Sequence, residues 1–134
     1  MASSAPAAAA RPQAVPVILF VEASALMRMA VAAYLRGCGY LVIEADGATE
    51  AQRVLESGAK ADLAFIDLDV KGEMGGFALA QWIRGRRPDI KVLLTSGVRR
   101  TAETAGELCK QGPHLAKPYD HRELAAQIRR LLAR

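Results

Sequence analysis

At 134 residues the chain is the size of one domain and leaves no room for a second. Its hydrophobic content of 51% overstates the core, because 26 residues are alanine, and no apolar run approaches the ~20 residues that span a bilayer. A net charge of +4, from 18 basic and 14 acidic residues, is too mild to argue for nucleic acid or an anionic surface as a partner.

Residues 1–14 are rich in Ala, Pro and Ser, with no basic residue before Arg11 and alanines too weakly apolar for the centre of a signal peptide. They read as a disordered lead-in to a domain spanning 15–134, and the expected location is the cytoplasm. Val17 to Val21 is a first strand-like apolar run. Met27, Val31, Tyr34 and Leu35 then recur with helical spacing. Leu41 to Ala45 is a second strand, followed by a helical stripe at Ala51, Val54 and Leu55. Leu63 to Ile66 is a third strand, followed by Gly76, Leu79, Ala80 and Ile83 on one helical face. Ile90 to Leu94 is a fourth, followed by Ala105, Leu108 and Cys109. A fifth strand centres on Leu115 and Ala116. The last helix carries Leu124, Ile128, Leu131 and Leu132, and Asp120 with Glu123 three residues later makes a capping box at its start. Cys38 and Cys109 are far apart and in no metal-binding spacing, so both read as reduced thiols, with Cys109 on the apolar side of its helix.

Five strands alternating with five helices make a (βα)₅ chain. Continuous apolar strands suit a parallel sheet covered on both faces, and right-handed crossovers favour a doubly wound α/β fold. In such sheets the functional crevice lies beyond the C-terminal strand ends. The first strand ends in Glu22-Ala23-Ser24, the third in Asp67-Leu68-Asp69, the fourth in Thr95-Ser96-Gly97 and the fifth in Lys117-Pro118. The topology therefore gathers Glu22, Asp67, Asp69, Ser96 and Lys117 on one edge. Carboxylates supply oxygen ligands for a hard cation such as Mg²⁺. A hydroxyl and an ammonium can hold phosphoryl oxygens. Each residue also has an ordinary reading, as a helix-capping acid, a turn hydroxyl or a solvated lysine. Their joint appearance at the correct strand ends favours a site.

From Val17 to Ala133 the chain resembles the receiver domains of bacterial two-component response regulators, of the stand-alone type. The resemblance rests on Val17-Ile18-Leu19-Phe20-Val21-Glu22, Leu35, Gly39-Tyr40, the Glu44-Ala45-Asp46-Gly47 turn, Asp67, Met74-Gly75-Gly76-Phe77, Ser96-Gly97 and Lys117-Pro118. It implies a flavodoxin-like sheet of order 2-1-3-4-5 and a phosphorelay switch rather than a turnover enzyme. Asp67 then accepts a phosphoryl group from a histidine kinase or a histidine phosphotransfer protein. Ser96 and Lys117 contact that group, and Ser96 with His114 forms the switch. Glu22, Asp67 and the backbone carbonyl of Asp69 are the implied Mg²⁺ ligands. The resemblance also implies a cis Lys117–Pro118 bond. Output is by a downstream protein docking on the face of the fourth helix, fifth strand and last helix. No helix-turn-helix follows that last helix, so DNA is not an expected partner, and without a membrane-spanning apolar run neither is a membrane.

Two departures bear on chemistry. Ala23 stands where the family has a second acid, so metal affinity is expected to be weak. His114 stands where the family has Tyr or Phe, and its imidazole is smaller and titrates near neutral pH. The Lys71-Gly72-Glu73 stretch adds one residue to the commonest loop length, which a loop tolerates. Rival readings follow from the same residues. Asp67-Leu68-Asp69 also matches the DxD motif of haloacid-dehalogenase-like phosphatases, with a nucleophile and a general acid/base. That motif normally ends a first strand and is followed by a later acidic pair, neither of which holds here. Ala23 supports a degenerate, phosphate-independent receiver that binds a protein or a nucleotide. Arg99 and Arg100, beside the fourth strand end, could then grip an anion, as could Arg84, Arg86 and Arg87, which end the third helix.

Overall fold

The computed structural model describes residues 14–134, so the lead-in of 1–14 lies, apart from Ala14, outside the described residues. The strands are β1 (Val17–Val21), β2 (Leu41–Ala45), β3 (Leu63–Asp67), β4 (Lys91–Ser96) and β5 (His114–Ala116). All pair in parallel, in the order β2-β1-β3-β4-β5. The doubly wound parallel sheet is the one expected from the sequence pattern, and its order is the flavodoxin-like one that the resemblance implied. The helices are α1 (Ala25–Gly37), α2 (Ala48–Glu56), α3 (Gly76–Arg86), α4 (Val98–Glu103), α5 (Ala105–Gln111) and α6 (His121–Leu132).

Period-two alternation divides each central strand between two cores. Ile18, Phe20, Leu63, Phe65 and Leu93 face Val31 and Leu35 of α1 and Leu124, Ile128 and Leu131 of α6. Leu19, Val21, Ala64, Ile66, Val92 and Leu94 face Ala51 and Leu55 of α2 and Leu79, Ala80 and Ile83 of α3. Every residue of β1 and β3 is buried, which explains their unbroken apolar runs. Phe20 and Phe65 stack at 5.1 Å between ring centroids, and Tyr119 meets Phe65 edge-on at 5.7 Å. β2 is an edge strand, and its Leu41 is exposed.

The helix ends obey local chemistry. Ser24 caps α1 by accepting the Met27 amide at 3.3 Å. The capping box expected at Asp120 and Glu123 starts α6: Asp120 accepts the Arg122 amide at 2.7 Å, and Glu123 accepts the Asp120 amide at 3.5 Å. The switch from β3 to α3 depends on Gly76. A Cβ there would lie 2.8 Å from the Leu68 Cα and 2.9 Å from the Asp67 carbonyl oxygen, so only glycine lets the helix start this close to the strand end.

Two expectations need correction. The single helix expected between β4 and β5 is two short ones, broken at Thr104, whose φ of −116° and ψ of 19° leave the helical region. Cys109 does not lie on an apolar face. On α5 only Leu108 and Gln111 are buried, while Cys109 is exposed, as is Cys38; both are free thiols. A buried Gln111 is possible because its side chain accepts from Arg84 at 2.6 Å and donates to Glu107 at 3.0 Å.

Candidate functional site

The parallel sheet delivers Glu22, Asp67 and Lys117 to one point at its C-terminal edge. Glu22 follows β1, Asp67 ends β3, and Lys117 follows β5. The Lys117 Nζ donates to Asp67 Oδ2 at 2.7 Å and to Glu22 Oε1 at 3.0 Å. The remaining carboxylate oxygens take local amides: Asp67 Oδ1 accepts from the Asp69 N–H at 2.9 Å and Glu22 Oε2 from the Ser24 N–H at 3.0 Å. Arg28 fixes the backbone beneath by donating to the Glu22 carbonyl at 2.9 Å while pairing with Glu44 at 3.2 Å.

Both carboxylates are almost fully buried, Glu22 at 3% and Asp67 at 2% exposure. Burial pushes the Asp67 carboxyl above its ordinary range. The bonds from Lys117 and the Asp69 amide oppose that shift, and the Glu22 charge adds to it. Burial pulls the Lys117 ammonium down, but its bonds and charge interactions with Asp67 and Glu22 outweigh this and hold it above its ordinary value. The Tyr119 phenol is pushed well up by burial and by the two nearby carboxylates. Two buried acids share one ammonium, so the cluster keeps an excess negative charge in a water-poor place.

That excess suits a cation. Mg²⁺ would find the Glu22 and Asp67 carboxylates and, from the backbone, the Asp69 carbonyl. Ala23 leaves the third acid missing, and among the described residues no three His, Cys, Asp or Glu side chains converge on a metal position. The carboxylates this edge offers to a cation are those of Glu22 and Asp67, and each has one oxygen bonded to Lys117.

Ser96 and His114 form a second group. Ser96 is fully buried, and its Oγ lies 2.7 Å from Thr101 Oγ1 and 2.9 Å from His114 Nε2. Burial lowers the readiness of the His114 imidazole to protonate. Asp69 turns its carboxylate away from Lys117, accepting the Gly97 N–H at 3.1 Å and pairing with Arg100 at 3.2 Å. Thus the structure brings Glu22, Asp67 and Lys117 into direct contact and Ser96 and His114 into another. The Asp69 side chain joins the two loops beside them. Thr101 and Gly97 were not singled out for these contacts by sequence reasoning. The only available signal was their position in the turn after β4.

The arginines considered as anion grips each have a partner within the chain. Arg100 holds Asp69, and Arg99 lies 3.5 Å from Glu103. These residues line an open cavity of about 380 Å³ beside Gly97. At the end of α3, Arg84 donates to the Gln111 side chain and carbonyl, Arg87 pairs with Asp89 at 3.3 Å, and Arg86 sits 5.7 Å above the Trp82 ring. The Lys117–Pro118 bond is cis, as the resemblance implied.

Comparison with known proteins adds the family. A family model for the response regulator receiver domain matches residues 18–129. The receiver domain of NtrX from Brucella abortus is similar over 87% of this chain and 98% of its own, with 28% identity and a TM-score of 0.77. The signal receiver domain of an HD domain-containing protein from Pseudomonas fluorescens Pf-5 is similar over 90% of this chain and 96% of its own, at 26% identity and a TM-score of 0.76. A response regulator receiver domain protein from Clostridium thermocellum shares the fold at 20% identity, with a TM-score of 0.79 over 89% of this chain and 95% of that one. In a longer NtrX structure the match covers 27% of that chain, so the receiver there is joined to further sequence. With the sheet order, the strand-end carboxylates and the family match in agreement, this chain belongs to the response regulator receiver domain family.

Proposed function

We propose that this domain is a phosphorelay switch whose acceptor is Asp67. The observation that carries the reading is the Lys117 ammonium, 2.7 Å from Asp67 and 3.0 Å from Glu22, at the end of the central strand. It keeps an anionic oxygen available in a site where burial alone would favour the protonated acid. In the transfer, an Asp67 oxygen bonds to phosphorus while the bond from phosphorus to a histidine nitrogen of the donor breaks, and that nitrogen keeps the electron pair. The donor is a histidine kinase or a histidine phosphotransfer protein.

Lys117 would neutralise one phosphoryl oxygen, and Ser96, after turning from its present partners, would donate to another. Mg²⁺, when bound by Glu22, Asp67 and the Asp69 carbonyl, would supply charge neutralisation for the transferring group. With Ala23 in place of an acid, its affinity in the unphosphorylated protein is weak, and phosphorylation is slow but not absent. The domain performs no steady turnover beyond its own phosphorylation and dephosphorylation. Its output is a downstream protein that docks on the face of α4, α5, β5 and α6.

Intact mass after incubation with acetyl phosphate and Mg²⁺ tests this reading, with Asp67→Asn in parallel. A gain of one phosphoryl group by the parent and none by the variant is the expected result. Equal labelling of both would place the acceptor elsewhere. No labelling of the parent would favour a phosphate-independent receiver, the reading that Ala23 by itself supports.

A further inference from the structure

The hydroxyl of Ser96 is already committed, and the direction of its commitment follows from counting protons. Thr101 Oγ1 lies 2.8 Å from the Gly97 carbonyl oxygen. A carbonyl can only accept, so the one hydroxyl proton of Thr101 goes there. Thr101 Oγ1 also lies 2.7 Å from Ser96 Oγ. With the threonine proton spent, Ser96 must be the donor in that bond. Ser96 Oγ lies 2.9 Å from His114 Nε2. With its own proton spent, Ser96 can only accept there, so the imidazole carries its proton on Nε2. The result is a one-way chain from His114 Nε2–H to Ser96 Oγ–H, to Thr101 Oγ1–H, and to the Gly97 carbonyl. It runs from β5 across the end of β4 into the first turn of α4.

From this chain we infer that Thr101 is a positioning residue that holds the Ser96 proton in a bond to its own hydroxyl and keeps His114 in one tautomer. The inference rests on the proposed phosphorelay reading for its consequence. A phosphoryl group on Asp67 can recruit Ser96 only by taking the proton that Thr101 now accepts. Breaking that bond also frees Ser96 to reorganise its contact with His114. Thr101 therefore competes with the phosphoryl group for a single hydrogen bond and acts as a brake on the switch. The same hydroxyl–hydroxyl–imidazole chain ties the acceptor side of the sheet to β5 before any phosphate arrives.

The test compares the parent with Thr101→Val, which removes the acceptor at nearly constant shape, and Thr101→Ser, which keeps the hydroxyl. Long-range ¹H–¹⁵N spectra of the unphosphorylated proteins read the His114 tautomer. The parent and Thr101→Ser should show Nε2–H. In Thr101→Val the Ser96 proton is released and can turn to His114, so the Nδ1–H tautomer should appear. Uptake of phosphate from acetyl phosphate should be about fivefold faster in Thr101→Val, the equivalent of one neutral hydrogen bond, and parental in Thr101→Ser. Should valine not be accommodated, Thr101→Ala repeats both measurements.

An Nδ1–H tautomer in the parent, or an unchanged tautomer in the hydroxyl-free variants, overturns the chain. Hydroxyl-free variants that take phosphate at the parental rate overturn the brake alone. Failure of every protein, parent included, to take phosphate overturns the phosphorelay reading, and the brake with it.

Discussion

Replacing Lys117 by methionine would leave two buried carboxylates with no counter-ion. The Glu22 and Asp67 side chains are each 3% exposed, and Lys117 contacts both, at 3.0 and 2.7 Å. Removing one partner of a buried ion pair costs about 3–5 kcal/mol. The Lys117 side chain retains 19% exposure, so water screens part of the interaction and the lower end applies, about 3 kcal/mol at pH 7. The double variant Lys117→Met with Asp67→Asn removes one anion together with the cation. It should recover most of the loss, to within about 1 kcal/mol of the parent.

The pH dependence follows from the two shifts. The Asp67 carboxyl is raised in the fold, so its contribution favours the fold at acid pH and is lost as pH rises through its folded value. Lys117 is also raised, so its contribution holds through neutral pH and is lost as pH rises through the alkaline range. Lys117→Met should therefore be least impaired in acid, and it should lack the parent's alkaline loss attributable to lysine. Urea unfolding of the four proteins of this cycle, at acid, neutral and alkaline pH, measures all of these. A parental midpoint for Lys117→Met at pH 7 would refute the reasoning, as would a double variant no more stable than Lys117→Met.

Three further outcomes are expected. Ala23→Asp should bind Mg²⁺ more tightly than the parent and be less stable without metal, because a third acid crowds the pocket; paired titrations and melts check this. Thr95→Val should stabilise the fold by about 1 kcal/mol, since the fully buried Thr95 Oγ1 has no hydrogen-bond partner among the described residues. Chemical denaturation reads that gain. Gly76→Ala should cost about 1–3 kcal/mol, because its Cβ would press on the Leu68 backbone at 2.8 Å. An unchanged urea midpoint would show that α3 can shift to make room.

The sequence alone determined the alternation of strands and helices, because the forces that set it are local or periodic, while the strand order was implied by the family resemblance. β1 and β3 appear as unbroken apolar runs, since both faces of a parallel strand are buried. Asp120 and Glu123 marked the start of α6 by bonds spanning two and three residues. Once the strands were read, a parallel sheet had to bring Glu22, Asp67, Ser96 and Lys117 to one edge, whatever their side chains do there. Which atoms meet was decided only by tertiary structure. Lys117 bridges carboxylates 95 and 50 residues away in sequence, and no pattern in the chain says that one ammonium serves both. The break at Thr104 and the exposure of Cys109 depend on how the segment after β4 packs, and its few apolar residues specify that weakly. Asp69 turned to Gly97 and Arg100, and Ser96 to Thr101 and His114, because the loop path after β4 set those partners within reach. Side-chain direction at a strand end depends on which loop lies across it, and that is a property of the folded chain.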